Sequence, residues 1–176
     1  MNKALKIIPI ALLLVVSASL AAEKTAGNRI DDSWIHTKVK SALIGEGAST
    51  INIEVHKGVV QLAGFVKSEE ARDRAINDAG AVTGVVRVSN ALIVQRNTRT
   101  PGRLLDDGVI AGKVKAGLAE SKQTSSIEVN VEVRHGVVLL SGFVNTDAER
   151  DAAGKVASGV SGVTEVMNRI EVVQAG

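Results

Sequence analysis

The chain has no cysteine. No disulfide framework holds it together, no thiolate is present to bind a metal or attack a substrate, and none stands near the N-terminus to carry a lipid. Aromatic residues are nearly as scarce, with one tryptophan, two phenylalanines and no tyrosine in 176 residues. Stacking platforms for single-stranded nucleic acid are therefore missing. No long hydrophobic run replaces them. The most apolar stretch, Ile7 to Val16, is too short for a comfortable membrane span and contains Pro9. Lys3 and Lys6 precede it and Ser19-Leu20-Ala21 follows, the pattern of a secretory signal peptide over residues 1–21. Export without cysteine fits the bacterial periplasm and a soluble protein that is not a lipoprotein.

An excess of charge of one sign is also absent. Removing the leader takes away Lys3 and Lys6 and leaves 19 basic residues against 19 acidic ones. Residues 30–94 hold 7 basic and 8 acidic groups, and residues 105–176 hold 7 and 10. Neither half offers the broad basic footprint that nucleic acid requires. Positive charge concentrates between the halves, where Arg96, Arg99 and Arg103 flank Thr100-Pro101-Gly102 in a polar stretch read as a linker over residues 95–104.

What is present is one unit written twice. GVVQLAGFV at Gly58 to Val66 returns as GVVLLSGFV at Gly136 to Val144, and Phe65 and Phe143 are the only phenylalanines. Upstream, an offset of 75 pairs Asp31 with Asp106, Asp32 with Asp107, Val39 with Val114 and Leu43 with Leu118. Downstream, an offset of 78 pairs Ala75 with Ala153, Val88 with Val166 and Asn90 with Asn168. The three-residue difference falls in the loop before the first strand of the second copy.

Each unit has the same order of patterns. Asp31 or Asp32 precedes Ile35, Val39, Ala42 and Leu43, one face of a helix with an acidic N-cap, and Asp106-Asp107 repeats the device before Ile110, Val114 and Leu118. Ile51-Asn52-Ile53-Glu54-Val55 alternates strictly, as does Val129 to Val133, predicting half-buried strands with Asn and Glu facing outward. Lys57-Gly58 and His135-Gly136 predict two-residue hairpins. Gly64 and Gly142 mark a bulge or a close backbone approach. Ser68 and Thr146 start a second helix with the small inward residues Ala75, Ala79, Ala153 and Ala157, and Thr146 with Glu149 forms a capping box. A last strand follows, whose alternation slips around Asn90 and Asn168. The expected fold is α+β: two αββαβ domains, residues 30–94 and 105–173, each a three-stranded mixed sheet with two helices on one face. Residues 22–29 read as a short polar lead-in.

The opening Asp-Asp-x-x-Ile-x-x-Lys-Val-Lys-x-x-Leu at 31–43, the centre Gly-Val-Val-x-Leu-x-Gly-x-Val at 58–66 and the ending Val-x-Asn-x-Leu-x-Val at 88–94 resemble the BON domain of bacterial envelope proteins. Both copies carry all three parts, the second with a degraded opening at Gly108 to Gly117. The resemblance implies the αββαβ fold, a periplasmic location, a link to osmotic or envelope stress and contact with membrane phospholipid.

No catalytic constellation accompanies the pattern. The paired aspartates are explained by helix capping, and His36, His56 and His135 lack metal-ligand spacing. No glycine-rich fingerprint opens a helix after a strand, and no cofactor is called for. Trp34 stands out, on the edge of the first helix beside Lys38, a pairing suited to the head-group layer of a membrane; capping a small core is the structural explanation of the same residue. The reading is a non-enzyme that contacts anionic phospholipid through Trp34, Lys38, Arg96, Arg99 and Arg103. The alternative is a periplasmic chaperone or adaptor that holds unfolded or outer-membrane protein clients through an edge strand.

Overall fold

A computed structural model describes residues 31–46, 50–95, 101–124 and 128–173. The leader, the polar lead-in, Arg96 and Arg99 lie outside the described residues.

The first repeat folds as helix α1 (Asp32–Ala42) with a short 3-10 turn (Leu43–Glu46), strands β1 (Ile51–His56) and β2 (Val59–Val66), helix α2 (Glu69–Gly80) and strand β3 (Arg87–Val94). The second follows the same plan with α3 (Pro101–Glu120), β4 (Val129–Arg134), β5 (Val137–Val144), α4 (Asp147–Ser158), β6 (Glu165–Asn168) and β7 (Glu171–Val172). In each sheet a central strand pairs antiparallel with its hairpin partner and parallel with the last strand. The sheets are mixed because a two-residue turn permits only antiparallel pairing, whereas the intervening helix returns the chain to the sheet in parallel.

One face of each sheet carries both helices. Ile35, Val39, Leu43, Ala75 and Ala79 meet Ile53, Val60 and Leu62 in the first core, and Ile110, Val114, Leu118, Ala153 and Ala157 meet Val131, Val138 and Leu140 in the second. Alanines fully buried on α2 and α4 let these helices approach the strands closely. Thr146 and Glu149 close a reciprocal capping box, while Ser68 accepts only from the Ala71 amide.

The structure refines three expectations. Asp31 is the N-cap of α1, but α3 runs unbroken from Pro101, so Asp106 and Asp107 lie inside a helix and residues 101–104 of the supposed linker are helical. Proline at the first position supplies the preset φ that starts a helix. Gly64 and Gly142 sit in uninterrupted register, and the reason for glycine is close approach: an added Cβ would strike the Thr50 carbonyl at Gly64, and would lie 2.8 Å from the Glu128 carbonyl at Gly142. The slip at Asn168 splits the last strand into β6 and β7, whereas β3 continues through Asn90. The three-residue insertion is closed by Thr124, whose buried hydroxyl donates to the Leu118 carbonyl at 2.6 Å.

The other face of each sheet is not solvent-facing. Ala63, Phe65 and Ala91 of the first sheet pack with Leu139 of the second, flanked by Ile93, Val137 and Met167. The two domains therefore stack sheet against sheet with helices outermost.

Candidate functional site

Asp32 builds the corner that presents Trp34, and Asp107 builds the equivalent corner of the second domain. Each sits on the first helix of its domain and accepts two amides of the hairpin turn, Lys57 and Gly58 at 2.7 and 2.8 Å, His135 and Gly136 both at 2.9 Å. The turns need this anchorage. Both residues of each have positive φ, 49° and 78° in the first, 54° and 78° in the second, a conformation that L side chains adopt at a cost. The residue entering the last strand completes the corner, with the Val86 amide donating to the Gly58 carbonyl at 2.8 Å and the Thr164 amide to the Gly136 carbonyl at 2.9 Å.

On this frame Trp34 is 42 % exposed, and the Lys38 ammonium stands 5.4 Å from its ring centroid. That is cation–π distance. Val86, the residue before β3, is 68 % exposed and locks onto the same turn, and Lys57 is exposed in the turn itself. The equivalent positions of the second domain hold Val109, Lys113, Thr164 and His135, and there the corner is a shallow open depression of about 450 Å³ that all four line together with Asp106 and Ser161. The same scaffold thus carries an exposed indole beside a lysine in one domain and a shallow hollow of mixed polar and apolar lining, with Val109 and Lys113, in the other. Arg103 falls within helix α3.

A second constellation lies between the domains. Asn52 donates to Glu132 and Asn130 donates to Glu54 at 2.6 Å. The Arg134 guanidinium lies 5.1 Å from the Phe65 ring, and the His56 ring 5.5 Å from that of Phe143. These contacts are reciprocal under the offset of 78, as a two-fold relation between the repeats requires. Gln61 breaks the symmetry. It is 1 % exposed, donates to the Arg169 carbonyl at 2.8 Å and accepts from the Gly142 amide at 2.6 Å. Arg87 and Glu171 bridge one edge at 2.8 Å, and the bond from Arg87 holds the Glu171 carboxyl below its ordinary value. Burial pushes the Glu132 carboxyl up to about 7, against the opposing pull of Arg134 and the Asn52 hydrogen bond. The identical Asn-x-Glu on both hairpins was the only signal of this face in the sequence, and a solvated strand shows the same pattern.

Among the described residues no three of His, Asp and Glu are grouped to hold an ion, and His56 and His135 serve a ring contact and a turn. Among the described residues no helix is long and apolar enough to cross a membrane.

Comparison with known proteins agrees with the double fold. The chain is 35 % identical to the osmotically-inducible protein Y of Escherichia coli (strain K12) over 150 residues, covering 82 % of this chain and 74 % of that one. It is 30 % identical to a 21 kDa hemolysin of Actinobacillus pleuropneumoniae, over 86 % of this chain and 79 % of the relative. It is 29 % identical to the outer membrane lipoprotein DolP of Haemophilus influenzae, over 86 % and 80 %. The BON domain pattern matches twice, at residues 31–96 and 106–174, so the chain belongs to the BON-domain family and carries two copies of the domain in tandem.

Proposed function

We propose that this is a non-catalytic envelope-maintenance protein of the periplasm, active in osmotic stress, whose first domain docks on anionic phospholipid surfaces through the corner formed by Trp34, Lys38 and Val86. The observation that carries this reading is the exposed Trp34 ring with the Lys38 ammonium 5.4 Å from its centroid. An indole settles at the head-group layer because its apolar body and polar N–H suit opposite sides of that boundary. A neighbouring ammonium adds attraction to lipid phosphate, and the apolar Val86 adds buried area. The second domain keeps the ammonium as Lys113 but, with Val109 and Thr164 in place of Trp34 and Val86, offers no indole and less apolar area. Relatives named for osmotic induction and for an outer-membrane lipoprotein support the envelope setting.

The test is co-sedimentation of residues 22–176 with anionic and neutral vesicles at low and physiological salt. Binding is expected to anionic vesicles, to weaken with salt as screening shortens the reach of the ammonium groups, and to fall about tenfold in Trp34→Ala. Val109→Ala should leave it unchanged. Absence of binding at both salt concentrations overturns the reading, and suppression of client aggregation without vesicles would put a chaperone or adaptor in its place.

A further inference from the structure

The sheet-to-sheet face contains more polar and ionisable chemistry than a permanent interface requires. Permanent interfaces resemble a domain core, with charge depleted from their centre. Here the apolar patch of Ala63, Phe65, Ala91 and Leu139 is bordered by two carboxylates, each held by one asparagine amide of the opposite domain. We propose that this face is an acid-tightened clasp, closing more firmly as pH falls and separating more readily above neutrality, with Glu132 as the group that carries the proton.

The geometry makes Glu132 the asymmetric member. Its carboxylate faces Asn52 of β1 and the close-packed backbone of Gly64 on β2, with both carboxylate oxygens 3.5 Å from where a Cβ on that glycine would stand. No ammonium or guanidinium from the first domain forms an ion pair with it among the described contacts. The charged and titratable groups on the apposed faces are Glu54 and His56 from β1, Arg134 from its own strand β4, Glu165 from β6 two residues before Met167, and the Arg87–Glu171 pair joining β3 to β7. β2 and β5 contribute none. Arg134 is the cation whose charge acts on it, and that guanidinium is also engaged over the Phe65 ring. A single amide donor compensates a buried carboxylate poorly, whereas a neutral carboxylic acid both accepts from that amide and loses the desolvation penalty.

The sign follows from linkage. The docked carboxyl holds its proton up to about pH 7, while the same group exposed by separation releases it near 4.5. Docking therefore binds a proton: it is strongest below the lower value, weakens as pH rises between the two, and reaches its weakest level above about 7. Because part of the carboxylate stays open to water, the open fraction should rise roughly tenfold across this window, less than the full shift implies.

Met167 reports on the clasp directly, being packed at this face and the only methionine outside the leader. In protein labelled at the methionine methyl, access of a soluble paramagnetic agent to Met167 should increase between pH 5 and pH 8, by less than the open fraction because the half-buried side chain is partly accessible when docked, while helical circular dichroism stays constant. Glu132→Gln keeps an acceptor for Asn52 and cannot ionise, so it should flatten the profile at the low-pH level. Independently of any variant, the Glu132 carboxyl carbon of the unmodified protein should titrate near neutrality. Titration in the ordinary carboxyl range overturns the proposal, as does an undiminished pH profile in Glu132→Gln. Neither result bears on vesicle binding through Trp34.

Discussion

Asp32 and Asp107 have a role that spacing alone does not distinguish from capping. Each carboxylate accepts from two consecutive amides of a turn in which both residues have positive φ, so helix and hairpin are welded at one point. Asp107→Ala removes both acceptors from a nearly buried site, and urea denaturation should show a loss of about 2–3 kcal/mol. Gly58 illustrates the companion constraint. An added Cβ would meet the Val86 side chain at 2.9 Å and the Gly84 carbonyl at 3.0 Å, on top of a φ of 78°. Gly58→Ala should therefore destabilise by about 1–3 kcal/mol in the same assay, and should also disturb the placement of Val86.

At the scale of elements, the periodicities carried most of the fold. Alternation in Ile51 to Val55 and Val129 to Val133, the small stripes Ala75/Ala79 and Ala153/Ala157, and the Thr146–Glu149 box all reappear as local structure. What was not legible were boundaries decided by single backbone preferences. The stretch before Asp106 has no apolar stripe, yet α3 starts at Pro101. The repeated Asn90 and Asn168 look alike in sequence, but only the second lies at a break, where the Arg169 carbonyl accepts from Gln61 of the other domain. Fully buried Ala153 sets the distance between α4 and its sheet, so Ala153→Leu should cost about 1–3 kcal/mol by overpacking. Thr146→Ala should cost about 1 kcal/mol through the lost cap, with the thermal midpoint as the check.

For the whole molecule, the stacking of two similar sheets explains why the candidate site was only partly readable. Trp34 and Lys38 could be placed beside each other from helix geometry, since they are four residues apart on one exposed face. Val86 joins them only through the turn it locks, and the polar strand faces looked solvated because water and a second domain select the same side chains. Gln61, itself buried, joins the domains through two hydrogen bonds. Gln61→Ala leaves the Gly142 amide and the Arg169 carbonyl without the partner they now share, and should separate a single unfolding transition into two in calorimetry. Placing Trp34 alone at one corner also gives the molecule a built-in optical probe. With no tyrosine in the chain, all indole and phenol emission arises from this one half-open ring beside a lysine. A blue shift in that emission on adding vesicles, or its constancy while the domains part, would separate events at the corner from events at the clasp without any label.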